Sequence, residues 1–135
     1  FSFLFLGLVV SAQTRFDVSS GTEFNTAQNQ AIAGDTIVWA QGTYTDTRMD
    51  IDKDGIIVTA EPYGTALFSG ASRVIINGNG VTFSGFQYIG GAIGTLDVIR
   101  VYGSDVLITQ VNIQNFTPTQ LISNANLISF RPEYY

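Results

Sequence analysis

The sequence predicts an all-β chain, folded as a parallel β-solenoid with a short helix in front of its first strands. Charged residues are 13% of the 135 residues and hydrophobic ones 45%, with 14 glycines and 3 prolines. This composition is typical of an ordered chain rich in strands and turns. A helical pattern near the start is followed by short β-branched runs, and some of these runs recur at a fixed interval.

The charge balance excludes several classes of function. Six Lys and Arg against eleven Asp and Glu give a net charge of −5, which argues against a nucleic-acid-binding protein. The chain has no His, so His-based catalytic triads and His metal sites are excluded. It has no Cys either, which excludes disulfides, thiolate zinc sites and Cys nucleophiles. The length suits one domain.

Residues 1–12 are interpreted as a partial signal peptide. Phe1–Val10 is an apolar run, and Val10 and Ala12 occupy the small-residue positions of a cleavage site. The run is too short to span a bilayer, and a buried N-terminal strand is the alternative. This pattern predicts a secreted or periplasmic protein. Because both ends look cut, we expect a fragment of a longer chain.

Residues 13–34 are expected to form an N-terminal segment and a capping helix. Ser19, Ser20, Gly21 and Thr22 supply the N-cap candidates just before Glu23. The apolar residues that follow share one helical face, and Gly34 is expected to end the helix as a left-handed C′ residue. That apolar face consists of Phe24, Ala27, Ala31 and Ile32.

Residues 35–135 are expected to form the first coils of an incomplete solenoid. Short β-branched runs alternate here with Gly, Asn and Asp, a pattern that predicts strands separated by tight turns. The clearest predicted strands are residues 37–39, 56–58, 74–76, 81–83, 98–101 and 106–108.

Two of these stretches superpose. Each apolar residue of the first has a counterpart 25 positions later, as in 99 − 74, 106 − 81 and 111 − 86. Such a repeat is what one coil of a parallel β-solenoid requires, with Ile76 stacked inside under Val101 and Asn77 outside under Tyr102. An antiparallel β-sandwich is the alternative. The matched pairs are Val74/Ile99, Ile76/Val101, Val81/Val106, Phe83/Ile108, Phe86/Val111 and Tyr88/Ile113.

Several motifs resemble the opening coils of secreted right-handed parallel β-helix proteins. Residues 30–46 read QAIAGDTIVWAQGTYTD, and residues 51–61, 66–70 and 81–86 continue the resemblance as IDKDGIIVTAE, ALFSG and VTFSGF. The order of these motifs over residues 30–116 is most similar to the chondroitinase B and alginate lyase family of polysaccharide lyases. The resemblance implies a right-handed parallel β-helix. It also implies cleavage of an acidic glycan, of alginate or chondroitin/dermatan type, by β-elimination.

The first of these motifs is expected to serve the scaffold. Gly34 and Gly42 are expected to allow turns, and Asp35 and Thr36 to hydrogen-bond turn amides. The Tyr44 ring is expected to pack against the cap while its hydroxyl group reaches a partner.

An acidic stretch resembles a calcium-binding loop. Asp50, Asp52 and Asp54 precede Gly55, and Glu61 stands at the twelfth position of the pattern. Flanking helices are not predicted, and the strand that follows Gly55 would carry Glu61 away. A solvated acidic turn is therefore favoured over calcium, and no metal site is assigned.

Arg100 and Tyr102 are the candidate substrate-binding residues. They alternate with Ile99 and Val101, which places both on one outward face. An Arg can bind the carboxylate of an acidic sugar while an aromatic ring stacks on the sugar. An ordinary solvated face is the alternative. Residues expected to extend this face are Arg73, Gln87 and Asn112.

A catalytic set is not evident in the sequence. The family resemblance implies a Lys base, an Arg and a calcium ion held by Asn and Glu, all in later coils. Lys53 is the only Lys and lies outside the family's pattern. A non-catalytic glycan-binding or adhesin-like β-helix and a purely structural solenoid therefore remain alternatives. Self-association is also expected, through an open end with uncovered Ile128 and Phe130.

Overall fold

The chain forms a parallel β-helix of about four turns with one short helix at its N-terminal end. The computed structural model describes residues 4, 7, 12–91, 97–116 and 127–131. The helix is α1, Gly21–Gln30. The strands of these ranges are β1 Arg15–Val18, β2 Thr36–Trp39, β3 Gly42–Thr45, β4 Arg48–Ile51, β5 Ile57–Ala60, β6 Ala66–Ser69, β7 Arg73–Ile76, β8 Thr82–Ser84, β9 Phe86–Gly91, β10 Ile99–Val101, β11 Leu107–Thr109, β12 Asn112–Phe116 and β13 Ile128–Phe130.

The strands line up in three sheets, and each coil contributes one strand to each sheet. The sheet orders are β1-β2-β5-β8-β11, β3-β6-β9-β12 and β4-β7-β10-β13. All strand pairs in the described ranges are parallel. The predicted parallel β-helix with a short helix is therefore confirmed, and the antiparallel sandwich was the wrong alternative.

The predicted 25-residue offset is the register of neighbouring strands in the later coils. Val74 pairs with Ile99, Phe83 with Ile108, and Tyr88 with Ile113. Other coils differ in length because their turns differ. Thr36 pairs with Ile57 (57 − 36 = 21), Ala66 with Phe86 (86 − 66 = 20), and Ile99 with Ile128 (128 − 99 = 29).

Helix α1 begins as predicted, at the N-cap Ser20. The Ser20 Oγ accepts the Glu23 N–H at 3.1 Å, and the Glu23 carboxylate accepts the Ser19 N–H at 2.6 Å. The predicted end was wrong, because the chain is extended at Ala31 and the helix stops at Gln30. Ile32, expected on the apolar helix face, is 57% exposed.

Gly34 lies in the turn that follows the helix rather than at its C′ position. Its φ is +93°, and its N–H donates to the Gly55 carbonyl oxygen at 2.9 Å. The predicted turn at Gly42 was also wrong. Gly42 begins β3 without a positive φ, and its N–H donates to the Thr65 carbonyl oxygen.

Aromatic rings stack through the core from one coil to the next. Trp39 contacts Phe24 of α1 at 5.9 Å between ring centroids, and Phe68 at 5.1 Å. The Tyr44 ring was expected to pack against the cap, but it packs against Trp39 of β2 at 4.9 Å. Its hydroxyl group has a partner, as predicted, and donates to the Ala40 carbonyl oxygen at 2.7 Å. Tyr88 continues the stack on Phe68 at 5.3 Å. These contacts hold successive coils in line beneath the outward faces.

The ends of the chain lie largely outside the described residues. Most of the predicted signal peptide, residues 1–12, falls there, as do residues 132–135. The helix of the described ranges has ten residues, too few to cross a bilayer. In the last coil, Ile128 is 40% and Phe130 69% exposed, although Ile128 pairs in register with the fully buried Ile99.

Candidate functional site

Basic side chains collect on one sheet of the β-helix. Met49, Val74 and Ile99 of β4, β7 and β10 point inward and are fully buried. Because side chains alternate along a strand, the neighbouring Arg residues point outward. We call the surface formed by Arg48, Arg73 and Arg100 the arginine face. With Arg131, directly after β13, this sheet carries four of the six basic residues of the chain.

Arg100 is anchored by a buried carboxylate that sequence reasoning did not identify. Its Nε donates to the Asp97 Oδ2 at 2.9 Å, and the Asp97 side chain is 1% exposed. Asp97 also accepts a bond from the Ser129 Oγ at 2.6 Å and lies 3.6 Å from the Arg131 guanidinium group. The bond to Asp97 raises the pKa of Arg100, partly opposed by burial. Asp97 therefore fixes the direction of the Arg100 side chain.

Tyr102 lies beside Arg100, as the sequence predicted. The interaction with the Tyr102 side chain also raises the pKa of Arg100. Tyr102 is partly buried, and its backbone N–H donates to the Ile76 carbonyl oxygen of the coil below. A cation and a ring are thus held together on one outward face.

Arg73 lies at the centre of the arginine face and is only partly exposed. Its strand neighbour in register is Arg48. Burial lowers the pKa of Arg73, and the positive charges of Arg48 and Arg100 lower it further, whereas Asp50 and Asp97 act in the opposite direction. In the ranges that the structure describes, no carboxylate lies within ion-pair distance of its guanidinium group.

Arg48 was not predicted as part of this face. It is about half exposed and pairs with Asp50, at 2.9 Å from Nε to Oδ2. The 25-residue offset could have predicted its position, since 73 − 48 = 25 and the two Arg residues pair in register.

Gln87 and Asn112 do not extend the arginine face, which corrects the expectation from sequence. They stack in register, as predicted, but on β9 and β12 of a different sheet. The Gln87 Nε2 donates to the Gly64 carbonyl oxygen at 3.1 Å, so this amide serves a turn.

The acidic stretch is not arranged as a calcium loop. The Asp52 Oδ1 accepts the Asn77 Nδ2 at 2.6 Å, and the Asp54 Oδ1 accepts the Asn79 N–H at 2.8 Å. Glu61, beyond strand β5, pairs with Arg15 at 2.6 Å. Among the described residues, no three His, Cys, Asp or Glu side chains are grouped to hold a metal ion.

A separate groove of about 430 Å³ opens between β1 and α1. Its floor is apolar, with Phe16, Val18 and Ala27, and its rim carries Arg15, Asp17 and Glu23. None of the three residues of the arginine face lines it.

Comparison with known proteins gives a family match and structural neighbours. The family model described as Chondroitinase B matches residues 18–121. The PL6 family alginate lyase AlyGC has a TM-score of 0.70 and 24% identity, over 73% of this chain and 15% of that one. A substituted form of AlyGC has a TM-score of 0.79 and 22% identity, over 86% and 18%.

A PL6 family polysaccharide lyase from Pseudopedobacter saltans is also similar. It has a TM-score of 0.69 and 22% identity, over 78% of this chain and 26% of that one. The chain thus spans about 15–26% of the length of these structures. No curated protein sequence matches it.

Proposed function

The chain belongs to the chondroitinase B family, and on that premise we propose that it is the N-terminal part of a secreted polysaccharide lyase that cleaves an acidic glycan by β-elimination. The observation that carries this proposal is the family match over residues 18–121, on a fold of the same kind as the PL6 structures. Two of those structures are of the alginate lyase AlyGC. An alginate-type or chondroitin/dermatan-type polysaccharide is therefore the proposed substrate.

The catalytic residues are proposed to lie beyond the present chain. Elimination requires a base for the proton beside the sugar carboxylate, a proton donor for the leaving oxygen, and a group that neutralises the carboxylate. The chain has no His and a single Lys, Lys53, which is exposed in the turn after β4. Because the chain spans only a small part of the PL6 structures, later coils are the natural place for a base and a donor.

Arg100 and Tyr102 are proposed to bind substrate. Arg100 is anchored by Asp97 through Nε, and its terminal guanidinium nitrogens are the proposed donors for a sugar carboxylate. The adjacent Tyr102 ring supplies an apolar surface on which a sugar ring stacks. Both residues are therefore proposed in a binding role.

No calcium ion is assigned to the acidic stretch. The family resemblance implies calcium in the complete protein, but Asp52 and Asp54 are engaged by Asn77 and Asn79, and Asp50 by Arg48. The acidic stretch therefore does not fit a calcium ion. A calcium site of the complete protein would need other residues.

Export from the cytoplasm is part of the proposal. It rests on the apolar run and cleavage pattern of residues 1–12 and on the extracellular nature of the polymers that such lyases degrade. Self-association through the last coil is proposed as well, because apolar residues are exposed there on strands that are outermost in their sheets within the described ranges.

The sequence of the gene beyond the codon for Tyr135 tests the proposal. We expect further coils with a Lys, an Arg and clustered Asn and Glu side chains on one face. A stop codon directly after Tyr135 would contradict it. Further coils that carry aromatic ladders without a Lys and carboxylates would favour a non-catalytic glycan-binding β-helix instead.

A further inference from the structure

We propose that Arg73 is a second carboxylate-binding residue of the arginine face, beside Arg100, and that the ligand is a uronate of an acidic polysaccharide lying across β4, β7 and β10. The inference rests on the proposed function for the class of ligand. The residue and the place come from the structure.

Arg73 differs from the other arginines of the chain in its partners. Each of the other four has a carboxylate within ion-pair distance: Arg15 has Asp17 and Glu61, Arg48 has Asp50, and Arg100 and Arg131 share Asp97. Arg73 has none among the described side chains, although all five arginines lie within the described ranges.

The surroundings of Arg73 favour an added anion. Its side chain is partly removed from water, and Arg48 and Arg100 flank it with like charge. A partly buried cation beside like charges is less favourable than one that has a counter-charge. The nearest carboxylates, on Asp50 and Asp97, are engaged by Arg48 and by Arg100. A ligand carboxylate would supply the missing partner.

The geometry suits a planar carboxylate on an extended polymer. A guanidinium group presents parallel N–H donors that match the two oxygens of a carboxylate. Arg48 and Arg73 stand on neighbouring strands, ~4.8 Å apart. That spacing is on the scale of one sugar ring. Successive sugar units of a polyuronate that crosses the strands would therefore lie next to successive guanidinium groups. Tyr102, beside Arg100, is placed to stack on a ring at the same surface.

Isothermal titration calorimetry on the full 135-residue chain tests the assignment. The probes are a short oligouronate, the same oligosaccharide with its carboxyl groups reduced to alcohols, and a sulfated oligosaccharide without uronate. We expect the oligouronate to bind, the reduced form to bind at least about tenfold more weakly, and the Arg73→Gln chain to lose about tenfold or more in affinity for the oligouronate. Sulfate binding that equals uronate binding would overturn the carboxylate assignment.

Matched variants separate recognition from folding. Arg15→Gln removes a cation of the same type from another sheet and should leave oligouronate affinity unchanged. Arg73→Lys keeps the charge but loses the two parallel N–H donors of the guanidinium group, so this variant should bind the oligouronate less tightly than the unsubstituted chain. Circular dichroism melting verifies that each variant folds. If the Arg73→Gln variant does not fold, the affinity of the Arg73→Lys variant alone tests the role of Arg73. Unchanged affinity in Arg73→Lys and, where it folds, in Arg73→Gln overturns the inference.

The outcome is distinguishable from that of the proposed function. Arg73-dependent binding without cleavage by the complete gene product would leave this inference standing and remove the lyase proposal. If the complete gene product cleaves the polymer but substitution of Arg73 leaves the oligouronate affinity unchanged, the lyase proposal stands and this inference is overturned.

Discussion

Val74 and Ile99 lie in register on neighbouring parallel strands, and the side chains of both are completely buried. This pair is one step of an internal ladder that includes Met49, and Ile76 and Val101 form a second ladder between the same two strands. Because each coil packs on the next through such ladders, the apolar interior helps to set the alignment of the outward faces. The position of the arginine face thus depends on residues that a ligand never contacts.

Removal of one buried side chain from this ladder should destabilise the chain strongly. Ile99→Ala leaves a cavity under β13 and is expected to lower the free energy of unfolding by about 2–5 kcal/mol, measured by urea denaturation. Ile32→Ala is the control, since Ile32 is 57% exposed and should change the free energy by less than about 0.5 kcal/mol. Equal effects of the two substitutions would contradict the assigned interior.

Removal of two different tyrosine hydroxyl groups should have different effects on the free energy of unfolding. The Tyr88 hydroxyl is buried without a hydrogen-bond partner among the described residues, and burial raises its pKa well above the ordinary value. Tyr88→Phe should therefore leave the free energy of unfolding unchanged or raise it. Tyr44→Phe removes the bond to the Ala40 carbonyl oxygen and should cost about 1 kcal/mol. A larger loss in Tyr88→Phe than in Tyr44→Phe would show that the Tyr88 hydroxyl has a partner.

Asp35 should make the chain sensitive to acid. Its carboxylate accepts the Ile32 and Thr14 N–H groups, at 3.0 and 2.8 Å, and these bonds lower its pKa. Because the folded-state pKa lies below the unfolded one of about 3.9, the stabilisation is complete above that pH and is lost as the pH falls through the folded value.

Urea midpoints measured as a function of pH test this dependence. Asp35→Asn should reduce the fall of the urea midpoint at low pH, whereas Asp105→Asn, at an exposed turn, should not. An acid limb that is identical in Asp35→Asn and the unsubstituted chain would rule out a role of Asp35 in acid sensitivity.

The last coil should drive self-association of the chain. Leu107 and Phe130 are 55% and 69% exposed, and β11, β12 and β13 are the outermost strands of their sheets in the described ranges. Light scattering should therefore give a mass above 14.6 kDa that Phe130→Glu reduces. Ile32→Glu, at the other end of the helix axis, should have no such effect. A stable monomer of the unsubstituted chain would refute this expectation.

The sequence was informative where β-branched runs recur at a constant spacing. The strands around Val74 and Ile99 were predictable because both the alternation and the 25-residue offset are visible there. Strand β1 was not predicted, since Arg15–Val18 is short and its partner β2 follows only after the helix. The helix end was misplaced because Ala31 and Ile32 continue a helical pattern that the turn closed by Asp35 interrupts.

The candidate site was only partly predictable for a similar reason. Strand alternation places Arg100 and Tyr102 on one outward face, and the structure brings them together. The carboxylate that anchors Arg100 comes from Asp97, which precedes β10 and whose burial depends on tertiary packing. Arg48 was missed because the repeat was matched between coils on apolar residues, although Arg48 and Arg73 pair at the same 25-residue offset.

An elimination assay on the product of the complete gene tests the central claim most directly. The protein would be incubated with alginate and with chondroitin or dermatan polymers while the absorbance of the unsaturated uronate product is followed. The account predicts a steady rise in absorbance with at least one of these polymers and none with a neutral glycan. A complete, folded protein that binds the acidic polymers but never forms the unsaturated product would contradict it.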